Sequence, residues 1–519
     1  MVAAHIHDRS CEAKHDSQNN VFRSNQGLPS HSGSQGNPHP SSDELIVDWD
    51  GPEDPANPLN WTNKRKWAVT IIISSFAFID LVSSSMAAPA AQQIAIEFHI
   101  TSSVLISMTT SVFVLGYAVG PLVLGPLSEV YGRSRVLQLA NLWYLAWNIG
   151  CSVAQSKGQL ILFRFMAGLG SSAPLAVGGG ILGDIWQPEE RGKAMAMYSL
   201  TPLLGPVLGA VCGAWIADLS TWRWVYWSTS IVDVPILVAG LIFLKESFAP
   251  FLLEQKAKRL RCSMNVEKGK VPMIYTKYEI DCSRIWKEIF ARAMSRPFAL
   301  LAMEPIIQLL ALYLAFIYGL FYLFLTCMPS IFSDIYHESV AISGLHYFAL
   351  GIGLVVASQL NARYVDRIYV YLKSRNGNVG EPEFRLPFVF LGAILLPIGL
   401  GISGWAAQGH VHWVVTDMGI VLVGGGIVFV YQSLHTYIID SFTLHAASAF
   451  AAVSVLRSLA GFVFPLFAQA MYDKLGYGIS NAILGCIAVA LGWPGLWVFW
   501  TYGKRIRASS RYAHKSQHA

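Results

Sequence analysis

Apolar residues along this chain gather into runs of about twenty, the helix length needed to cross the hydrocarbon core of a bilayer. Twelve such runs begin near Trp67, Val104, Val136, Gln159, Ala194, Trp224, Phe298, Ala341, Leu386, Val414, Ala446 and Ser480. Charged residues fall mostly between them. The pattern predicts twelve transmembrane helices, and the even number puts both chain ends on one side. Residues 1–66 depart from it: they are rich in Ser, Asn, His and Pro and hold no apolar core of the length a signal peptide needs. They are expected to form a disordered, solvated tail.

Composition supports a membrane protein. Of the 519 residues 53% are hydrophobic and 13% charged, about half the roughly 25% charged share of soluble domains. The 37 Lys and Arg residues then decide orientation. With a cytosolic amino terminus, the inner segments hold all but Lys157, Arg223 and Lys474 outside and Arg164 and Arg457 within spans. Such asymmetry places both termini in the cytosol. The net charge of +5 follows from those inner loops, and it implies anionic lipid rather than nucleic acid as the charged neighbour. The seven cysteines form no CxxC pair or Cys/His cluster, so neither a disulfide framework nor a metal site is expected. The Asn60-Trp61-Thr62 sequon falls on the cytosolic side of this topology and should stay unmodified.

A basic loop, residues 245–297, separates six spans (67–244) from six more (298–502), with a cytosolic tail over 503–519. The halves carry traces of a repeat. Asp184 ends the fourth span and Asp440 the tenth; Gly205 in the fifth answers to Gly461 in the eleventh, each pair at the same separation. Parallel six-helix repeats characterise one large transporter class.

The polar stretch GPLSEVYGRSRV, residues 125–136, lies between the second and third spans. It resembles the loop at that place in the major facilitator superfamily, with an extra residue before the acid. Span five, LLGPVLGAVCGAW, sets Gly205, Gly209 and Gly213 on one helix face beside Pro206. It is similar to the glycine-rich signature of the superfamily's antiporter branch, with Thr201 and Ala210 standing where that signature has glycine. NWTNKRKW, PEERGKAMAMYSL, WRWVYW, ESFAPFLLEQKAKRLR, LYLAFIYGLFYLF and YQSLHTYIIDSFTLHAASA extend the likeness to the fungal twelve-span drug:proton antiporters over roughly residues 57–502.

The resemblance implies an all-α membrane protein of two pseudo-symmetric six-helix bundles. It also implies a cytosolic latch of Glu129, Gly132, Arg133 and Asp184, echoed in the second half by Arg367 and Asp440. Positive-inside orientation alone would also explain these charges, and close packing alone would explain the span-five glycines. Gly178 to Gly180 and Gly424 to Gly426 read as packing or hinge points, because no Lys-Ser/Thr pair follows to make a phosphate loop.

Four charges lie inside apolar runs: Asp80, Arg164, Glu304 and Arg457. Each costs about 2.5 to 3.5 kcal/mol at a helix centre on insertion scales, so each must face a partner or a cavity. Asp80 is the expected proton carrier, Arg164 its competing cation and Glu304 a second acid. The alternative for Arg164 is an interhelical clamp to backbone carbonyls, and Arg457 is open between structural and functional use. Tyr431, Gln432, His435 and His346 are candidate substrate contacts, and Phe316, Tyr318, Phe321 and Tyr322 candidate aromatic lining.

The resulting expectation is a monomeric plasma-membrane antiporter without cofactor, powered by the proton gradient. It would export small hydrophobic, amphipathic or cationic compounds, xenobiotic or metabolic. A dedicated polyamine or single-metabolite exporter, a proton-driven importer and a non-transporting receptor of the same fold are the alternatives. An enzyme is not expected, since no nucleophile constellation, metal cluster or nucleotide loop stands out.

Overall fold

The computed structural model describes residues 44–187, 190–267, 273–276, 295, 297–442 and 446–509. The first half runs through α1 (Asn63–Met86), α2 (Ala91–Glu97), α3 (Ser103–Tyr131), α4 (Arg133–Ser152), α5 (Lys157–Ser171), α6 (Ala173–Ile185), α7 (Arg191–Leu219) and α8 (Arg223–Phe243). After α9 (Ala249–Glu267), the second half holds α10 (Pro305–Tyr336), α11 (Val340–Leu345), α12 (Tyr347–Arg375), α13 (Pro387–Gln408), α14 (Trp413–Ser441) and α15 (Ala446–Ser509).

Among the described residues ten helical stretches are long and apolar enough to cross a membrane. One of them joins α5 to α6; another lies in α15, a 64-residue helix that bends at Gly476 (φ 75°) and so supplies two spans. The twelfth is the 20-residue α4, whose polar positions lower its hydropathy. Those positions face inward, since Asn141 and Asn148 are buried against α8. Each apolar run of the sequence therefore has its helix, and the chain has the twelve-helix architecture of paired six-helix bundles.

Within the first bundle α1 packs on α7 and α8, α3 on α5, and α4 on α5 and α8. Within the second, α13 packs on α14 and α15, α10 on α15, and α12 on α14. The bundles meet where α3 lies along α15 and where α7 lies against α11 and α12.

Small residues set the closest approaches. A Cβ on Gly205 would fall 2.8 Å from Leu81 Cβ, one on Gly209 2.8 Å from Val82 Cα, and one on Gly213 3.0 Å from Met86 Cα. The glycine face of span five is thus pressed on the last two turns of α1, and Ser85 Oγ fastens it by donating to the Pro206 carbonyl at 2.7 Å. Close backbone contact of this kind replaces the hydrophobic drive that lipid cannot supply.

Residues 44–66, expected to be part of a disordered tail, are structured. They contain β1 (Glu44–Val47), a short 3-10 turn at Pro58–Asn60 and the start of α1 at Asn63. β1 pairs in parallel with β2 (Met273–Thr276), Glu44 opposite Met273. Val47 packs with Ala257 and Leu260 of α9, and Lys256 meets Asp50 at 2.6 Å. These parts of the tail and basic loop form a small unit of their own. The helix α15 likewise continues past residue 503 to Ser509; the last ten residues of the expected carboxyl-terminal tail, residues 1–43 of the amino-terminal one and residues 268–272, 277–294 and 296 of the expected linker loop lie outside the described residues.

Candidate transport site

The interior of the first bundle is polar. Asp80, on α1, is buried, and neither of its carboxyl oxygens has a hydrogen-bond partner among the described residues. Asp233 on α8, which the reading of the sequence passed over, is also buried and accepts both bonds that Asn141 Nδ2 offers, at 3.1 and 3.2 Å. The two carboxyl groups lie within electrostatic reach of each other. The one sequence signal for Asp233 is a lone acid in the apolar run STSIVDVPIL. Asn148 gathers Ser83, Thr229, Ser230 and the Tyr226 carbonyl around one amide. The hydroxyls of Tyr117 and Tyr144 end in the same bundle, beside Ser171 and beside Ser83 and Thr229 respectively.

Arg164 is fully buried and belongs to α1's end rather than to Asp80. Its guanidinium donates to the carbonyls of Ser83 (3.1 Å), Ser84 (3.3 Å), Thr109 (3.4 Å) and Thr110 (3.3 Å). A helix leaves its last four carbonyls without an intrahelical donor, and those of α1, which ends at Met86, include Ser83 and Ser84. Arg164 therefore caps α1 with a positive charge at its negative dipole end. Its charge is further covered by the faces of Phe113 (4.5 Å) and Tyr226 (5.6 Å). The role of cation competing with Asp80 finds no ion pair among the described residues.

The second bundle presents its own cation to the seam. Arg457 on α15 lies over the Tyr318 ring at 4.5 Å and hydrogen-bonds the Tyr431 hydroxyl, while its Nε has no partner. Tyr318 and Tyr322 of α10 sit 5.1 Å apart. Tyr322 reaches across the seam to Ser84 Oγ of α1 at 3.3 Å. His435 lies tilted against Tyr431, ring centres 4.2 Å apart, and against Phe450 at 4.7 Å. Gly461, the repeat mate of Gly205, is closely packed here: a Cβ on it would meet Tyr318 Cδ1 at 3.0 Å and Val114 of α3 at 3.1 Å.

Three expected site residues lie elsewhere. Gln432 is spent on packing, its Nε2 donating to Ser358 at 2.8 Å and its Oε1 accepting from Asn361 at 3.0 Å. His346 is clamped between Asp417 (2.9 Å) and Glu338 (2.8 Å) and stacked at 3.5 Å on Phe332. Ten residues separate Phe332 from Tyr322, about 15 Å of helix, so His346 stands away from the seam cluster. Glu304 precedes Pro305 at the start of α10, about 20 Å of helix below Tyr318, and does not converge on Asp80.

At the end of the bundles where α1 begins, Arg133 Nε meets Asp184 at 2.7 Å, as expected of the loop motif. Gly132, between α3 and α4, has φ 95°, a conformation natural to glycine. Gly180 of α6 admits the guanidinium, since a Cβ there would lie 2.6 Å from Arg133 Cζ. The acid of the cluster is Glu246 rather than Glu129. Glu246 accepts from the backbone N–H groups of Arg133 (2.9 Å) and Ser134 (3.3 Å) and so caps α4. Glu129 is exposed. In the second half Asp440 pairs not with Arg367 but with Arg385 at 3.0 Å, which also holds Asp366. Arg367 is exposed, resting 5.5 Å from the Tyr364 ring.

Two six-helix bundles, a seam lined by charge and tyrosine, and charge clusters at the bundle ends are the architecture of a membrane transporter. The chain belongs to the Major Facilitator Superfamily, whose model matches residues 73–465. It is 44% identical to the "Efflux pump vrtL" of Penicillium aethiopicum over 91% of this chain and 92% of the relative. It is 40% identical to the "Uncharacterized transporter C1529.01" of Schizosaccharomyces pombe over 90% of this chain and 94% of that one. In fold it is similar to the E. coli xylose transporter XylE in a partially occluded inward-open conformation, with TM-score 0.61, 14% identity, and 84% and 99% of the two chains covered.

Proposed function

We propose that the protein exports small apolar or amphipathic compounds across the plasma membrane in exchange for inward-moving protons, with both termini cytosolic. The efflux direction is supported by the names of its relatives, among them the efflux pump vrtL. Proton coupling rests above all on Asp80. It is a buried acid without a partner, one helical turn before Ser84, the residue that touches Tyr322 of the other bundle. A carboxyl group held by no counter-charge takes or releases its proton according to whether water reaches it. Parting of the seam changes that access and couples protonation to the bundle motion.

Arg133, Asp184 and Glu246 then act as the cytosolic latch, with Arg385, Asp366 and Asp440 as its counterpart in the second half. Charge-assisted pairs at a bundle end bias a two-state equilibrium by linking helix ends that separate in the other state.

The test is uptake of a panel of labelled amphipathic compounds into inside-out membrane vesicles carrying an imposed pH gradient, acid inside. Accumulation that collapses with the gradient and is abolished by Asp80→Asn, with the variant still folded and inserted, is the expected result. Coupling that survives Asp80→Asn removes Asp80 from the mechanism, and accumulation driven in the opposite direction makes the protein an importer.

A further inference from the structure

Arg457 is a buried cation that this fold leaves incomplete. It is about nine-tenths buried, yet its one hydrogen bond is to the neutral hydroxyl of Tyr431, and Nε is without a partner. The titratable groups in its electrostatic reach are Tyr431, Tyr318, Tyr322 and His435. Tyrosine ionises only near pH 10, so none of these carries a negative charge at neutral pH. Among the described residues no carboxylate forms an ion pair with it. An uncompensated buried charge is costly. The ring faces of Tyr318 and Tyr431, 4.5 and 5.4 Å from the guanidinium carbon, recover only part of that cost.

We infer that Arg457 and its tyrosines form a binding site for a planar aromatic anion, an arenecarboxylate or phenolate, and that such weak acids are the preferred cargo. The guanidinium fork matches a carboxylate with two parallel hydrogen bonds. The Tyr318, Tyr322 and Phe321 rings, 5.1 to 6.2 Å from one another, offer faces and edges to a flat aromatic body. Gly461, without a side chain, lets the Tyr318 ring pack directly on the α15 backbone beside Val114 of α3. The cluster stands where a cargo site must be to alternate between faces: Tyr322 touches α1, Gly461 faces α3, and Tyr431 comes from α14. A cationic cargo would instead be repelled by Arg457. The assignment rests on the transport reading above and narrows its substrate class.

Three isosteric probes test it on the purified full-length protein: 2-naphthoate, 2-naphthamide and 2-naphthylmethylammonium, titrated at neutral pH by calorimetry. The carboxylate should bind on the order of tenfold or more tighter than the amide, as a charge-assisted pair is worth, with the ammonium weakest. Arg457→Gln should level the carboxylate with the amide, and Arg457→Lys should keep part of the preference. An ammonium preference, equal affinities in the wild type, a carboxylate preference that survives Arg457→Gln, or no binding of any probe overturns the proposal. Should Arg457→Gln not fold, the wild-type order and the Arg457→Lys variant decide. Proton movement on adding 2-naphthoate, followed with an entrapped pH dye in proteoliposomes and counted only beyond the leak of the protonated acid into protein-free liposomes, separates the two readings. Binding preference without proton movement sinks the antiport and leaves the anion site, whereas proton movement without charge preference does the reverse.

Discussion

Arg164 in the first half of the molecule and Arg457 in the second are both buried, and the two are treated in opposite ways. Arg164 has four backbone carbonyls around its guanidinium and closes the end of a helix. Arg457 has one phenol and two ring faces, and an idle N–H. A cation whose donors are satisfied within the fold holds the fold together; one whose donors are open is available to something that comes and goes. The acids of the first bundle repeat the contrast, Asp233 being held by Asn141 while Asp80 is held by nothing.

The comparison breaks first at the arginines. Arg164→Leu strands the carbonyls at the end of α1 and should cost on the order of 3 kcal/mol or more, read as loss of a monodisperse folded peak and a lower thermal midpoint. Arg457→Leu should leave the folded fraction largely intact; equal damage from both would erase the distinction between them. Next come the acids. Asp233→Asn keeps a hydrogen-bonding partner for Asn141 and should retain proton-driven transport, whereas Asp80→Asn should abolish it; loss in both would make the pair a relay rather than one carrier and one anchor.

Gly209→Val tests whether the span-five glycines matter as packing. Overfilling the contact with Val82 should destabilise by about 1 to 3 kcal/mol, visible in the thermal midpoint before any change in substrate range. A smaller effect is expected from Glu246→Gln, which weakens the cap on α4 by about 1 kcal/mol and should shift spin-label distances between the bundle ends toward the separated state.

The least effect concerns Glu97, at the end of α2 outside the spans. Burial pushes its carboxyl up, but hydrogen bonds from Trp222 (2.6 Å) and Arg223 (2.8 Å) and the Arg223 charge outweigh it and hold it below the ordinary carboxylate value. A depressed folded value means that the stabilisation is present in full above the unfolded value of about 4.5 and fades as the pH falls through the folded one. Protection from hydrogen exchange at residues 91–97 and 222–226, taken relative to the intrinsic amide rate at each pH, should therefore fall below that pH in the wild type but hardly change with pH in Glu97→Gln.

Much of the architecture was legible because lipid imposes a simple rule: a helix that crosses must be apolar for about twenty residues. All twelve runs could be counted for that reason, and the glycines of span five could be placed on one face by period alone. The Arg133 and Asp184 pairing also followed from position, both lying at the same end of neighbouring helices. Pairing choices within reach of several partners did not. Glu246 rather than Glu129 joins Arg133, and Arg385 rather than Arg367 joins Asp440, because loops after α8 and before α13 return to those helix ends by routes that no periodicity encodes.

Spacing and hydropathy, local properties of the chain, determined that this is a two-bundle helical membrane protein with charges at prescribed heights. Which of those charges are satisfied is a property of neighbours far apart in sequence. Asp80 and Arg164 look like a natural pair along the chain, yet the end of α1 captures the arginine and leaves the acid alone. Arg457, one of several intramembrane ions in the sequence, becomes distinctive only when α10 and α14 surround it with tyrosines and bring no carboxylate. Hydrogen-bond satisfaction depends on directions and distances between helices, and only the packed tertiary structure supplies those.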